Sequence, residues 1–312
     1  MDNFTHSLTG WALGQAGLKT KTRKGLAALI LGANMPDIDV FFGWAPWDPL
    51  AMHRGVTHGI LGALVLPPLL AGLLWLLDRW QLRLGRTFSG GLPMRWRWLL
   101  ALSYIGAVSH PSLDVLTTYS VQLLSPFSTL WFHLDGLFII DLWLWLLLGG
   151  AIFWSKRLEK RGGDWRFSAR AALAVGLAYI LVNLAISYRA HLAVRQWAGD
   201  RPADAIFASP PPIASWRRDL VWREEDCYRR SSFNPLSGMG PVGACEPTNM
   251  ADPLVREAVR RNPGLQKFLQ WSILPHAVVE RSACWAEVKM GDARYGRRGS
   301  SRLGRQARIR TC

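Results

Sequence analysis

Five apolar runs follow one another along the first part of the chain: Leu26–Trp44, Gly59–Leu77, Trp98–Thr118, Leu137–Trp154 and Ala171–Tyr188. Each approaches the ~20 residues that a helix needs to cross a ~30 Å hydrocarbon core. The pattern therefore predicts a mostly α, polytopic transmembrane helical domain. Gly59–Leu77 carries no charge, and Pro67 and Pro68 inside it predict a kink that membrane helices tolerate. Phe4–Leu18 is shorter and holds His6, Ser7, Thr9 and Gln15, which fits a partial or re-entrant helix.

Beyond Tyr188 the pattern changes to polar, Pro-rich and Arg-rich sequence. Pro/Ser-rich Ala208–Ser215, a loop-like Asn234–Asn249 and short alternating stretches at Ala277–Glu280 and Trp285–Lys289 predict a small α+β or β-rich soluble domain. The basic stretch Arg294–Arg310 reads as a disordered tail. The expected organisation is thus a transmembrane domain over residues 1–190, a soluble domain over 191–293 and a tail over 294–312.

Charge orients these elements. The net charge of +15 raises the question of nucleic acid, but many of the Lys and Arg residues sit in three short clusters between apolar runs. The clusters are Lys19–Lys24, Arg79–Arg97 and Lys156–Arg170, the pattern of cytoplasmic loops. Nucleic-acid binding is therefore not expected. With all three loops inside, everything after Arg189 is expected outside the cytoplasm. Trp residues near the segment ends, such as Trp75, Trp80, Trp96 and Trp154, fit an interfacial belt. No cationic stretch precedes an apolar core at the start of the sequence, so no cleavable signal peptide is expected. All four cysteines lie in the C-terminal region without a CxxC pair, which argues against a zinc ribbon. In an exported domain Cys227–Cys245 is the expected disulfide, with Cys284 as competitor.

The same topology gathers histidines and carboxylates at one membrane face. They are His6, Asp37 and Asp39, His53 and His58, His110 and Asp114, then His133, Asp135 and Asp141. A single histidine in an apolar run is most often a satisfied core residue, and single aspartates such as Asp48 and Asp78 most often cap helices. A whole set at membrane depth must pair, line a wet cavity or bind an ion. Imidazole with carboxylate suits zinc, manganese or iron, and His110 and Asp114 at i,i+4 share one helical face. Neither a His-Glu-x-x-His nor a Gly-x-Ser-x-Gly motif is present, and small residues such as Gly32-Ala33-Asn34 read as close helix packing.

Four motifs carry a family resemblance: His6-Ser7-Leu8-Thr9-Gly10, Pro36-Asp37-Ile38-Asp39, His53-Arg54-Gly55-Val56-Thr57-His58 and Ser109-His110-Pro111-Ser112-Leu113-Asp114. Together, over Met1–Tyr188, they resemble the YdjM-type family of bacterial inner-membrane metal-dependent hydrolases. More remotely the arrangement is similar to zinc-dependent phospholipase C and related nucleases. That similarity implies His6, Asp37 or Asp39, His58 or His53, His110 and Asp114 as metal ligands, and His133 as a further one. Where those enzymes place the next carboxylate this chain has Leu137, leaving Asp135 or Asp141 as substitutes.

The resemblance implies hydrolysis of a phosphoester with zinc or manganese as the ion, and the placement of the residues at one membrane face suggests a lipid or lipid-linked substrate reached from the bilayer surface. One of Asp37 and Asp39 is then expected as general base and the other as ligand. Arg54 is expected either to clamp phosphate or to snorkel to the headgroups. A different class of reading is a non-enzymatic membrane regulator with a protein partner, implied by the family's association with the repressor LexA. A transporter would need polar groups along a path through several helices.

Overall fold

The computed structural model describes residues 1–42, 54–88, 91–297 and 304–312. The described residues fall into two compact units, 1–184 and 185–312, a mostly helical part and a β-rich part.

In the helical unit α1 spans Asn3–Gln15, capped by Asp2, whose carboxylate accepts from the Phe4 and Thr5 amides at 3.0 Å each. Helix α2 covers only Gly25–Gly32, and the chain continues through a 3₁₀ segment, Met35–Phe42. Three longer helices follow: α3 Ile60–Arg83, α4 Trp96–Asp114 and α5 Leu142–Lys160. The last, α6, spans Arg166–Ala198 and runs on into the β-rich unit.

Among the described residues two helices are long and apolar enough to cross a membrane, α3 with 24 residues and α6 with 33. They match the expected runs at 59–77 and 171–188. The expected span Leu26–Trp44 is not a single helix. Eight residues of α2 reach only ~12 Å, and Pro36 lies just beyond the helix end. Ala28 and Leu29 of α2 are buried against α3 and α4, and a helix buried by protein reads in sequence like one facing lipid. The expected run at Leu137 begins as a helix only at Leu142, because Asp141 caps α5 through the Leu144 amide at 3.0 Å.

Small residues let α2 and α4 approach closely. A Cβ on Gly32 would stand 2.9 Å from the Ser103 carbonyl oxygen, and one on Gly106 would stand 2.6 Å from that of Leu29. This backbone contact sets the spacing between Asp37, just after α2, and His110, near the end of α4.

The β-rich unit holds an antiparallel sheet in the order β1 (Asp204–Ser209), β2 (Arg218–Glu224), β3 (Cys227–Asn234), β4 (Gly238–Met239), with β5 (Glu246–Pro247) pairing β3. The end of α6 packs on it through Ala190 and Val194, against Ile206, Ala208, Leu220, Trp222 and Phe233. Helices α7 (Pro253–Arg261) and α8 (Pro263–Trp271) lead to a second antiparallel sheet of β6 (Pro275–Arg281), β7 (Trp285–Asp292) and β8 (Gly304–Arg310). Strand β8 corrects the expectation of a disordered tail. Its Ala307 and Ile309 are buried while Arg308 and Arg310 point out, so charge density masked a strand alternation. Disulfides join Cys227 to Cys245, as expected, and Cys284 to Cys312.

Candidate metal centre

Three backbone elements and one loop deliver the site: α1 contributes His6, the 3₁₀ segment Asp37 and Asp39, the loop before α3 Arg54 and His58, and the last turn of α4 His110 and Asp114. His6, His110 and Asp114 are fully buried, and Asp37, Arg54 and His58 are 5%, 3% and 2% exposed. Two groups, His6–His110–Asp114 and Asp37–His58–His110, each bring their ligand atoms within 4.8 Å of one another.

The inner geometry is tight. His58 Nε2 lies 3.0 Å from His110 Nε2 and 3.2 Å from Asp37 Oδ1. His110 Nε2 lies 3.3 Å from both Asp37 Oδ1 and Asp114 Oδ2, and His58 Nε2 lies 3.4 Å from Asp114 Oδ2. Ligand atoms held ~2.0–2.1 Å from a tetrahedral ion stand roughly 3.3–3.4 Å apart. These five separations therefore have the size of tetrahedral edges around one small cation.

Hydrogen bonding on the far side of each ring fixes which nitrogen faces inward. His110 Nδ1 is 2.7 Å from the Ala33 carbonyl oxygen, which only accepts, so Nδ1–H donates and Nε2 carries the lone pair. The Thr57 hydroxyl donates to Asp39 Oδ2 at 2.9 Å and so accepts from His58 Nδ1–H at 3.0 Å. Burial pushes the His58 imidazole down to about 3, despite the opposing pull of Asp37, so that ring is neutral near pH 7. Two imidazole lone pairs and two carboxylate oxygens then converge with no proton between them. Such a set repels itself and fits a cation, and the outward bonds are those that orient metal-bound histidines.

On the other side of Asp114, His6 Nε2 stands 3.5 Å from Oδ1, and the His6 ring stacks on His110 with centroids 3.7 Å apart. Among the described residues neither ring nitrogen of His6, nor Asp114 Oδ2, has a hydrogen-bond partner, although all are buried. One His6 nitrogen carries the proton and the other a lone pair, and an orphaned buried lone pair beside a carboxylate oxygen is what a bound ion satisfies. The Met1 amino group contacts Asp114 Oδ1, and Arg54 Nη2 lies 3.4 Å from the same oxygen.

Arg54 also donates to the Thr117 hydroxyl at 3.1 Å and lies 4.4 Å over the Tyr119 ring. Its guanidinium is buried in the centre and does not snorkel outward. The remaining expected residues fall outside both ligand groups. Asp39 Oδ2 is 3.9 Å from His58 Nδ1 and acts through Thr57, while His133 Nδ1 pairs with Asp135 Oδ1 at 3.0 Å. Asp141 is the α5 cap and accepts from the Tyr179 hydroxyl at 2.9 Å. His53 lies outside the described residues, with Trp44, Trp47 and Asp48. Thr57 and the Ala33 carbonyl were not legible as site members. The adjacency of Thr57 to His58 is the one sequence signal that pointed to it.

Residues 1–190 match the family model described as YdjM inner membrane protein. Along nearly its whole length the chain is also similar to the uncharacterized protein YfhP of Bacillus subtilis (strain 168), with 22% identity over 311 residues, 96% of this chain and 88% of that protein. No solved structure matches the chain.

Proposed function

This chain belongs to the YdjM inner membrane protein family, and from that premise we propose that it is a polytopic, membrane-embedded metal-dependent hydrolase acting on a phosphoester in a lipid or lipid-linked substrate. The observation that carries this reading is the convergence of His58 Nε2, His110 Nε2, Asp37 Oδ1 and Asp114 Oδ2 at 3.0–3.4 Å. Zinc is the ion that two nitrogens and two oxygens at tetrahedral spacing suit best. A divalent ion there would supply Lewis acidity and, by taking a water as a ligand beyond these four, a nucleophile acidic enough to attack near neutral pH.

The chain's own residues then take distinct roles. Asp37, His58, His110 and Asp114 hold the ion. Asp39 orients His58 through Thr57, which leaves Asp37 as ligand and Asp39 as support. His6 and Asp114 Oδ1 form a second position beside the first, with Arg54 set to meet a phosphoryl oxygen bidentately. At the rim of the site the 3₁₀ segment exposes Val40 and Phe41, 51% and 77% accessible, an apolar approach that suits a lipid better than a soluble metabolite.

The two disulfides support an extracytoplasmic C-terminal region, because such bonds persist in oxidising compartments. A reporter fused after Trp197 is then active only when exported, and a cytoplasmic signal overturns this placement. The hydrolase reading is tested by turnover of bis-p-nitrophenyl phosphate and p-nitrophenyl phosphate by zinc-loaded protein in detergent. Activity must disappear with chelator and in His110→Ala and Asp114→Ala while persisting in His191→Ala. A zinc-loaded wild type that hydrolyses neither these esters nor phospholipid removes the enzyme reading and leaves a metal-binding membrane protein.

A further inference from the structure

One end of the five-stranded sheet carries apolar tips. Ser209 pairs with Asp219, Arg218 with Phe233, and Asn234 with Gly238. The 210–217 loop and the 235–237 turn therefore leave the sheet at the same end, while Glu225, in the β2–β3 turn, marks the opposite end. Leu236 is 96% exposed and Trp216 50%. Three consecutive prolines, Pro210–Pro212, stiffen the loop that presents Trp216.

This end is also the one fastened to the earlier part of α6 within the unit. Arg218 Nε donates to Ser187 Oγ at 2.8 Å, and Arg189 Nη2 donates to the Pro235 carbonyl at 3.5 Å. Ten residues further along α6 the Trp197 ring meets Trp222, centroids 5.4 Å apart. Strand β2 thus runs alongside α6 in the same direction, with the Trp216 and Leu236 end beside Ser187 and Arg189. Of the 33 residues of α6, ~20 cover a hydrocarbon core. The ten residues that follow Tyr188 within α6, ~15 Å of helix, lie beside seven-residue β2, ~23 Å long.

We propose that this end of the sheet is seated in the headgroup layer of the bilayer that α6 crosses, with Trp216 and Leu236 at the acyl boundary. Aromatic and aliphatic tips bury ~5–10 Å deep in such a layer, and Trp is favoured there. Exposed Arg189 and Arg217, against the single carboxylate of Asp219, give this end the positive excess that anionic headgroups attract. The proposal rests on α6 crossing the membrane and is independent of the hydrolase reading.

The test uses the full chain in nanodiscs containing anionic lipid. All four native cysteines are paired, so single cysteines at Leu236→Cys and Trp216→Cys accept an environment-sensitive fluorophore selectively. Glu225→Cys serves as the water-facing reference, and Leu177→Cys, on the exposed apolar side of α6, as the membrane reference. Labels at 236 and 216 should be blue-shifted and quenched by a headgroup-proximal nitroxide lipid at least twofold more than the label at 225. If both match 225 while 177 is quenched, the edge faces water or a protein partner and the proposal is overturned. If 177 is also unquenched, the membrane reading of α6 and this proposal fall together, and the zinc content of the same preparation still reports separately on the metal centre.

Discussion

Adding one methyl group at Gly106 should loosen the metal centre without touching any of its ligands. The new Cβ would stand 2.6 Å from the Leu29 carbonyl oxygen and 3.0 Å from the Ala33 amide nitrogen, both backbone atoms of α2 or its cap. Ordinary contact begins near 3.4 Å, so α2 must retreat by about 3.4 − 2.6 = 0.8 Å. The Ala33 carbonyl receives the His110 Nδ1–H at 2.7 Å, and the same retreat stretches that bond to about 2.7 + 0.8 = 3.5 Å, the limit of a hydrogen bond.

Overpacking of this kind costs about 1–3 kcal/mol, against a gain of up to about 1 kcal/mol from alanine's helix propensity. Losing an orienting bond to a ligand histidine weakens metal binding ~10–100-fold. Zinc affinity by chelator competition, with thermal unfolding in detergent, reads both effects. Gly149→Ala in α5 is the control, because nothing lies within 4 Å of its Cβ, and it should keep wild-type affinity with unchanged or slightly raised stability. Gly106→Ala binding zinc within twofold of wild type would refute the view that α2–α4 contact positions the site.

Other outcomes follow from single side chains. Thr57→Val should weaken zinc about tenfold while Thr57→Ser retains it, and equal affinities would remove the Asp39–Thr57–His58 relay. Asp292 is fully buried with Arg294 at 2.9 Å and accepts from Ser272 and the Ile273 and Leu274 amides. Burial alone would raise its carboxyl, but Arg294 and these donors hold it below the ordinary range. The stability it contributes is therefore full above the unfolded value of ~3.9 and is lost as pH falls through its lower folded value. Asp292→Asn should cost about 3–5 kcal/mol at pH 7, because Arg294 is left as an uncompensated buried charge. In acid unfolding the variant should lose less stability than wild type below pH ~4, and parallel curves would contradict this. Opening the Cys227–Cys245 loop by Cys227→Ser/Cys245→Ser should cost about 3 kcal/mol, read as a lower unfolding midpoint, with no change in zinc content.

Much of the site was legible in sequence because its chemistry is out of place there. Histidines and aspartates in apolar runs have few reasons to exist other than an ion, and the His110–Asp114 spacing put two of them on one face before any fold was known. What spacing could not show was selection among them. Asp37 and Asp39 are two residues apart, and only the backbone path of the 3₁₀ segment turns one to the histidines and the other to Thr57. Asp141 looked equivalent to Asp135, yet a helix begins at Leu142 and uses it as a cap. The fold was legible where one environment dominates a segment, as in α3 and α6. It was not legible in α2, whose Ala28 and Leu29 are buried by neighbouring helices, since apolarity reports burial and not what does the burying. In β8 the arginines obscured a two-residue alternation that pairing with β7 makes plain.

The most direct test of the central claim is the zinc content of full-length protein purified in detergent from metal-replete buffer, measured by mass spectrometry. The geometry of Asp37, His58, His110 and Asp114 predicts at least about one ion per chain. It should be lost in His110→Ala and in Asp114→Ala, with both variants still inserted in the membrane, and kept in His191→Ala and His276→Ala. A wild type that holds no divalent metal, or cluster variants that keep full occupancy while the two controls lose it, would contradict it.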